Sequence, residues 1–435
     1  MFDADGSAAW YLEFAEGAYG WQFSHESRFA YTSDRLRASA GFNYFHETNR
    51  QEVPFSTEEG TYLQCAARLI PGLPCVAPNG TVTASQATAI LSRGAATVIP
   101  YQSIFINRGI NDSISLFADV AWKPMERLEL TAGLRWLTEP RKSGFSSVAP
   151  RSVLTGAPLI PGQVTTNGTL YSDRTFSAWL PRFNVLFKLN DDASLYATVS
   201  KGRRSPTVNQ TATTSSVIPE EVVWNYEGGI KGRVGRLSGS VGIYYQTYKD
   251  FQVSRVVTSP NDPSGRPVGS TVTESAGNAS NLGVEAEASL RIAPWLTAFG
   301  NIGYIQGGID RTAANGIYAG SRFRLQPEVQ VSGGITFNKQ VSGLRLFATP
   351  SVTYRSKIYF EVPNLEAIST PGVTLVNVRA GVGFLDDRFE VAGFVRNATN
   401  ERYLLDAGNT GGAFGDPTFI PAEPRFYGVQ LTARL

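Results

Sequence analysis

Only two histidines and two cysteines occur in the 435-residue chain, so imidazole and thiol chemistry is limited to four positions. To act in hydrolysis, His25 or His46 would need a nucleophile or a carboxylate placed beside it. Both lie in one hairpin pattern, and His25 is in phase with the apolar Phe23 and Phe29. This phase favours ordinary strand positions over a catalytic pair. We predict no enzymatic activity, with a hydrolase that uses these histidines as the alternative.

The cysteines are Cys65 and Cys75, in the sequence CAARLIPGLPC within the longest polar segment. A disulfide between them would close a loop of about ten residues and stabilise it by roughly 2–3 kcal/mol. A metal site would need more ligands, and no histidine or second cysteine pair is near in the sequence. The spacing favours a disulfide formed in an oxidising compartment over a metal site. No cofactor is predicted.

Charged side chains alternate with apolar ones along many segments. In NLGVEAEASLRI, Glu285, Glu287 and Arg291 alternate with small and aliphatic residues, and in LELTAGLRW the same is true of Glu129 and Arg135. A period of two predicts a strand with one apolar and one polar face. We predict that these five side chains line a hydrated interior. They either form its ordinary polar lining or contact a substrate that passes through.

The chain contains about fifteen such segments, each long enough at roughly 9–11 residues to cross a bilayer when tilted. Short breaks (SD, KPMER, NDDA, VGR, APW, KQVSG and DD) alternate with long polar segments. The long segments cover approximately 48–107, 141–172, 204–219, 254–272, 307–320, 361–372 and 403–422. Short turns on one side and long loops on the other are typical of outer-membrane barrels. Trp122 and Trp136, which flank one break, fit the aromatic girdles of such a barrel.

Composition agrees with this architecture. Only 17% of the residues are charged, against roughly 25% in soluble domains. No run of about 18 apolar residues predicts a membrane helix. The net charge of +2 argues against a nucleic-acid surface. No blade-length repeat predicts a propeller, no composition shift divides the chain into sandwiches, and MFDADGSAAWYLEF does not have the pattern of a signal peptide.

Several segments resemble motifs of the TonB-dependent outer-membrane receptors. FVRNATNERYLLDAG and PRFYGVQLTARL are similar to the family's carboxy-terminal signature, and the match extends back through NLGVEAEASLRI, YATVSKGRRSPTVNQ and FSHESRFAYTSDRLRASAGFNYF. The resemblance implies that residues 1–435 are part of an all-β, transmembrane antiparallel barrel of 22 strands in the outer membrane of a Gram-negative bacterium. It also implies uptake of a scarce nutrient such as a ferric siderophore.

The family's partners would be outer-membrane lipid, the nutrient, and the TonB energising complex acting through an amino-terminal plug that fills the lumen. Neither a plug nor the first strands are recognised here. If the last strand ends on the periplasmic side, counting back through the hairpins places the start of the strand at about 21–32 on the extracellular side. A barrel made from one chain normally has an even number of strands, with both termini on the periplasmic side. Either AAWYLEFA is a sixteenth strand or the chain begins within a larger barrel, and we expect the second. A passive diffusion porin of about sixteen strands is the alternative function.

The long segments hold the candidate substrate residues, which offer aromatic and cationic surface suited to anionic metal chelates. These candidates are Tyr62, Arg68, Tyr101, Arg141, Lys142 and Tyr171.

The final segment, PRFYGVQLTARL, predicts a terminal strand that pairs with the first strand of the barrel. Its lipid-facing residues are predicted to be Tyr427, Val429, Leu431 and Leu435, and its lumen-facing residues Gln430, Thr432 and Arg434. Family members usually end on an aromatic residue, whereas this chain ends on a leucine.

Overall fold

The computed structural model describes residues 2–3, 9–160, 163–256, 271–408 and 418–434. The strands in this part of the chain are β1 Phe2–Asp3, β2 Glu13–Phe14, β3 Gly17–Thr32, β4 Leu36–Glu58, β5 Pro100–Met125, β6 Leu128–Val148, β7 Leu170–Lys188, β8 Ala193–Arg204, β9 Thr207–Gln210, β10 Ser215–Ile218, β11 Glu221–Val234, β12 Leu237–Lys249, β13 Gln252–Val256, β14 Thr271–Ser275, β15 Ala279–Ala293, β16 Leu296–Ile309, β17 Val329–Val341, β18 Leu344–Arg355, β19 Ile358–Tyr359, β20 Ser369–Thr370, β21 Val373–Phe384, β22 Phe389–Arg396, β23 Leu404–Gly408, β24 Thr418–Pro421 and β25 Phe426–Ala433. The helices are α1 Glu59–Ala67 and α2 Ala87–Leu91, with 3-10 turns at Thr83–Gln86, Ala313–Tyr318 and Glu366–Ile368. None of these helices is both long and apolar enough to span a membrane.

Fifteen long strands of the described ranges form one antiparallel sheet, which confirms the predicted strand number and fold class. Each long strand pairs with the next along the chain, in the order β3, β4, β5, β6, β7, β8, β11, β12, β15, β16, β17, β18, β21, β22 and β25. Among the described residues, β25 pairs with β22 and β3 pairs with β4, but no pairing joins β3 to β25, so the sheet has two edges. The remaining short strands lie mainly in the long connections.

The segment AAWYLEFA does not supply a sixteenth long strand. Its described residues contribute only β2, which pairs with Ser56 and Phe55 near the far end of β4. The segment therefore lies beside the hairpin that β4 and β5 form and pairs with it only through β2.

Several predicted loops are shorter than expected because the strands extend into them. The β4–β5 ladder runs without a break from Leu36 opposite Trp122 to Glu58 opposite Pro100. Similarly, β6 continues to Val148, and β7 begins at Leu170. Beyond the membrane both faces of a strand meet water, so backbone pairing continues without the apolar alternation that reveals a strand in a sequence.

Apolar side chains cover the face opposite the charged residues. We call the face that carries Glu129 the inner face and the opposite face the outer face. On the outer face, large apolar residues such as Leu116 are exposed, as expected for side chains that contact lipid. Trp122 lies at the end of the sheet that carries the short turns. Trp136 lies at the opposite edge of the apolar belt, where it packs against Trp179 with ring centroids 6.3 Å apart. Trp136 therefore does not lie beside the turn, because the apolar stretch of β6 separates it from Leu128.

The buried apolar clusters combine residues of the long connections with residues at the strand ends that adjoin them. The largest joins Tyr11, Phe55, Tyr62 and Tyr101 around α1. Two smaller clusters form around Phe323 and Phe360, where the folding of the connections brings apolar side chains together. Because lipid covers the outer face, a membrane barrel needs no apolar interior, and packed cores form only where the chain leaves the bilayer.

Candidate functional site

Ion pairs organise the inner face near the short turns. Glu129 accepts a hydrogen bond of 2.5 Å from Arg37, and Lys123 Nζ lies 3.6 Å from the same carboxylate. On the neighbouring strands, Asp119 accepts two hydrogen bonds from Arg182, at 2.5 and 2.8 Å. These carboxylates are therefore neutralised by neighbouring strands, as in the polar lining of a barrel.

A cationic recess of about 540 Å³ lies next to these ion pairs. The guanidinium carbons of Arg135 and Arg28 lie 5.3 and 5.7 Å from the centre of the Phe117 ring. An aromatic face attracts a cation and keeps its side chain over the ring. The ring thus holds two arginines on the inner face, one of which, Arg28, is also paired with Glu26 at 2.8 Å.

An acidic wall occupies the inner face of β11 and β15. It consists of Glu227, Glu285 and Glu287, which line a recess of about 340 Å³. The hydroxyl groups of Tyr196 and Ser240 donate to Glu227 at 2.8 Å and to Glu287 at 3.1 Å. Within the described ranges, no lysine or arginine lies within ion-pair distance of these three carboxylates. The wall can therefore receive a cationic group from outside the described sheet.

The fifth predicted inner-face residue lies away from this wall. Arg291 is opposite Thr297, near the short turn between β15 and β16, and its side chain is exposed. It shares the face of Glu285 and Glu287 because all three have the same phase along β15.

Above the acidic wall, amide and phenol groups form a hydrogen-bonded row. Gln246 donates to Asn225 Oδ1 at 3.0 Å and accepts from the Tyr248 hydroxyl at 2.7 Å and from Asn281 at 3.3 Å. This row lines a cavity of about 510 Å³, together with Arg324 and with Glu227 and Glu285 of the acidic wall. We call this cavity the vestibule.

Three aromatic rings complete the wall of the vestibule. Phe251 and Phe323 stack with centroids 4.6 Å apart, and Tyr248 meets both edge-on, at 5.4 and 5.8 Å. Such pairs fix ring positions because offset and edge-on contacts are favourable. Sequence reasoning missed these residues, since the two phenylalanines come from separate connections that only the fold brings together.

Two of the six candidate substrate residues are buried. Tyr62 lies in α1 and Tyr101 in β5, with 6% and 3% of their surface exposed, and both pack against Phe55. Burial raises the pKa of both phenols. Tyr101 is also on a strand rather than in a loop. Arg68, the residue that ends α1, is exposed, but the two rings cannot present surface to a ligand.

The other candidates lie on strands and divide between the two faces, so their assignment to loops is wrong. Arg141 has the inner-face phase on β6 and donates to Glu139 at 3.3 Å and to the Pro206 carbonyl at 3.0 Å. Lys142 and Tyr171 have the outer-face phase, and the ammonium lies 4.6 Å from the centre of the ring. The structure therefore does not bring the six candidates together.

A buried carboxylate that the sequence did not reveal holds α1 in place. Glu58 caps the helix by accepting hydrogen bonds from the Gly60 and Thr61 N–H groups, at 3.3 and 2.7 Å. Its other contacts are the Ile99 N–H at 3.1 Å and the Thr88 hydroxyl. Glutamate is not among the preferred capping residues, so the sequence contained no clear signal for this role.

The environment of Glu58 favours its charged form. Burial by itself would raise the pKa of this carboxyl group, but the hydrogen bonds from Thr88, Thr61 and Ile99 together outweigh burial. They hold the pKa of Glu58 below its usual value near 4.5.

Both histidines lie on the outer face. His25 Nε2 is 2.9 Å from the Ser27 hydroxyl, and His46 Nδ1 is 2.8 Å from Asp112 Oδ1. Trp21 packs on the His46 ring, with a centroid distance of 4.9 Å. These positions lie on the side of the sheet away from the recesses described above.

The terminal strand β25 pairs with β22, from Phe389 opposite Ala433 to Arg396 opposite Phe426. The outer-face residues of β25 are Tyr427, Val429 and Leu431, which are 71–76% exposed. The fourth predicted residue, Leu435, lies outside the described residues. The exposed apolar side chains fit contact with lipid or with a further strand.

Comparison with known proteins identifies the family. Residues 2–398 match the model described as TonB dependent receptor-like, beta-barrel. The ferric yersiniabactin uptake receptor FyuA from Yersinia pestis shares the fold with a TM-score of 0.71 and 16% identity, over 96% of this chain and 54% of that one. BauA, the ferric preacinetobactin receptor from Acinetobacter baumannii, has a TM-score of 0.60 and 18% identity, over 97% of this chain and 54% of that one. The ferric citrate transporter FecA has a TM-score of 0.61 and 13% identity, over 97% of this chain and 55% of that one.

The fold is that of an outer-membrane β-barrel, and the chain belongs to the TonB-dependent receptor family. It spans about half the length of the solved receptors that it resembles. Family members reside in the outer membrane of Gram-negative bacteria, and this is also the location of this chain. The end with the long connections is accordingly the extracellular end, and the end with the short turns is periplasmic.

Proposed function

We propose that this chain is the barrel part of a receptor that takes up a scarce nutrient, such as a ferric siderophore, across the outer membrane. The observation that carries the proposal is the family match over residues 2–398. The proposal places residues 1–435 in one barrel domain and assigns the energy for transport to the TonB complex. The strands support it, because their inner face is polar and charged along its length.

The vestibule is the proposed first contact for the substrate. Its volume of about 510 Å³ falls in the range of small-molecule pockets. Gln246 and Asn281 offer amide groups, Tyr248 offers a ring and a hydroxyl, and Arg324 supplies a cation, while the carboxylates of Glu227 and Glu285 line the same cavity. These groups replace the six residues inferred from sequence as the candidate contacts for a metal chelate.

The acidic wall is the proposed contact for the plug through which the TonB complex acts. Glu227, Glu285 and Glu287 have hydroxyl partners but no cation among the described residues. Carboxylates that lose water without gaining a cation are costly. Glu285 and Glu287 are exposed to water in the sheet alone, so a plug that covered them would need a cationic surface to neutralise them.

The proposal is tested by uptake of radiolabelled iron supplied as a panel of siderophores. The protein is expressed in the full form that its cell produces, in a strain that lacks other iron receptors. We expect uptake of at least one chelate and its loss when TonB is deleted, because transport depends on the energising complex. Uptake that continues unchanged without TonB would contradict the proposal and favour passive diffusion.

Substitutions in the vestibule locate the substrate contacts within the same assay. We expect Asn281→Leu to raise the substrate concentration for half-maximal uptake about tenfold, because a lost polar contact costs about 1–2 kcal/mol. Glu126→Gln, in the exposed turn between β5 and β6, is the matched control. Equal uptake by both variants would remove the vestibule from the proposal while leaving the receptor function intact.

A further inference from the structure

The cationic recess is built on a row of side chains that crosses the inner face from β3 to β6. Arg28 on β3 is opposite Gly41 on β4. Gly41 is opposite Phe117 on β5, and Phe117 is opposite Arg135 on β6. The next residue along β5, Leu116, belongs to the exposed apolar belt of the outer face. The recess therefore lies on the inner face at the depth of the bilayer.

Gly41 explains how one aromatic ring holds two cations. A Cβ at this position would lie 2.7 Å from Phe117 Cζ, so the ring leans across β4 through the space that the glycine leaves. It thereby reaches Arg28 on one side, while Arg135 is its direct neighbour on the other. Because an aromatic face attracts cations, the two guanidinium groups stay beside one ring instead of spreading apart.

The carboxylate of Asp119 lines the recess but is already neutralised. Arg182 donates two hydrogen bonds to it, and this pair spans from β5 to β7 across Gly133. A Cβ at Gly133 would lie 2.5 Å from Asp119 Oδ2, so only a glycine leaves room for the pair. Asp119 and Arg182 compensate each other, and the remaining charge of the recess is that of Arg28 and Arg135.

The charges of these two arginines are weakly compensated. Arg28 is paired with Glu26, but the two side chains are 59% and 41% exposed, and exposed pairs contribute little. For Arg135, the part of the chain that the structure describes supplies no carboxylate within ion-pair distance. Its contact is the Phe117 ring, which orients a cation without cancelling its charge. The recess therefore presents two adjacent guanidinium groups to the lumen.

We propose that Arg28 and Arg135 bind a small anion that carries two or more carboxylate groups. A planar guanidinium binds a carboxylate through two parallel hydrogen bonds, and two guanidinium groups beside one ring suit two carboxylates of one molecule. The recess volume of about 540 Å³ is in the range of small-molecule sites, and Ser39 adds a hydroxyl group. The vestibule and the acidic wall lie on other strands of the sheet.

This binding site goes beyond the proposed uptake function, because the recess binds an anion whether transport is driven or passive. A cationic recess at the depth of the bilayer raises the local concentration of anions within the lumen. If the chain acts in a receptor, an anionic substrate reaches the recess only after the plug has moved.

Blockage of ionic current in planar bilayers tests the proposal. The protein is used in its full native form, with denaturant that unfolds a plug and leaves the barrel folded. The probe is tricarballylate, a tricarboxylate, and acetate at equal ionic strength is the comparison. We expect tricarballylate to interrupt the current and acetate to leave it unchanged, because a single carboxylate cannot engage both arginines.

Two variants locate the block in the recess. Arg135→Gln should raise the concentration of tricarballylate for half-maximal block about fivefold, because one charge-assisted contact in a hydrated lumen is lost. Phe117→Leu should raise it about threefold, because both cations lose the ring that holds them. Heat-modifiable mobility on gels shows that each variant is folded.

Arg233→Gln is the matched control. Arg233 has the same inner-face phase as Glu227 on β11, and it donates to the Gly235 carbonyl at 3.0 Å beside a short turn, outside the recess. The control should block like the unmodified protein. Equal block in the unmodified protein and Arg135→Gln, or an equal rise in Arg233→Gln, would overturn the proposal. So would an Arg135→Gln channel that blocks normally but opens at lower denaturant, since the recess would then hold the plug.

Discussion

At the scale of residues, two adjacent buried glutamates, Glu58 and Glu59, hold the extracellular cap in place by hydrogen bonds. We define the cap as residues 59–99. Glu58 accepts hydrogen bonds within the cap, as described above. Glu59 is directed the other way and accepts from the Ser152 hydroxyl and from the Val153 and Leu154 N–H groups, at 2.7, 2.9 and 3.1 Å. Hydrogen bonds to a buried carboxylate are strong because the acceptor is charged. The pair therefore joins the cap to both neighbouring hairpins.

The charge of Glu58 makes the cap sensitive to acid. Because the pKa of Glu58 in the folded protein lies below its usual value near 4.5, its contribution to stability is present above that value. The contribution is lost as the pH falls through the lowered pKa. Hydrogen exchange of the α1 amides, corrected for the intrinsic rate, should therefore accelerate below pH 4.5. If the protection of the α1 amides stayed constant as the pH was lowered through the pKa of an exposed carboxyl group and below it, the prediction would be contradicted.

Replacing the carboxylate at neutral pH should have a related effect. We expect Glu58→Gln to reduce the free energy of opening of the cap by about 1–3 kcal/mol, because buried donors lose a charged acceptor. Hydrogen exchange followed by mass spectrometry measures this difference. Glu126→Gln, at an exposed turn, controls for the loss of one negative charge and should leave exchange in α1 unchanged.

At the scale of elements, the cap is a small folded unit attached to the longest hairpin. A disulfide joins Cys65 to Cys75, with the Cα atoms 4.9 Å apart, and both sulfurs lie in the cluster that contains Tyr11 and Tyr62. Gly60 permits the close contact of α1 with α2, since a Cβ there would lie 2.2 Å from the Thr88 hydroxyl. The cap thus depends on tight contacts of its own, while the hairpin beneath depends on its backbone ladder.

Removing the disulfide should lower the stability of the cap without lowering the stability of the hairpin beneath it. We expect the double variant Cys65→Ser/Cys75→Ser to destabilise the cap by about 2–3 kcal/mol, because a closed loop of about ten residues becomes free in the unfolded cap. Limited proteolysis should then cut within residues 59–99 while the strands stay protected. Cleavage within the β15–β16 hairpin at the same rate would show that the cap and the sheet unfold together.

At the scale of the whole molecule, the sheet separates its functions by face. The outer face carries the apolar belt and, beyond it, polar and charged side chains such as Arg50 and Arg108. The inner face carries ion pairs near the periplasmic end, the acidic wall, and the vestibule toward the extracellular end. The side chains of a strand alternate between its two faces, so one strand can contact lipid on its outer face and supply the polar lining on its inner face.

Planar-bilayer recordings distinguish a receptor from a diffusion porin. The receptor proposal expects that the protein in its full native form, with the plug in its lumen, shows no stable ion conductance. Strong denaturant, which unfolds a plug before a barrel, should open a large conductance that closes on dilution. Stable channels in the native protein without denaturant would support the porin alternative.

Much of the fold could be predicted from the sequence because lipid imposes a strict period of two. Segments such as LELTAGLRW show one face to lipid and one to water, so their phase, their number and the faces of Glu129 and Glu285 follow from the alternation of apolar and polar residues. The motifs near the carboxyl end carried the family resemblance. Beyond the bilayer this constraint ends, and the lengths predicted for the loops at 48–107 and 141–172 were too great.

The sequence by itself determined the strands, their order and the location in the outer membrane, because those depend on local periodicity and on short motifs. Only the tertiary structure decided which residues meet. It buried Tyr62 and Tyr101, placed Lys142 on the lipid side, and brought Phe251 and Phe323 together from separate connections. Such contacts join residues far apart in the chain, and no local pattern encodes them because they arise from register and from the packing of connections above the membrane.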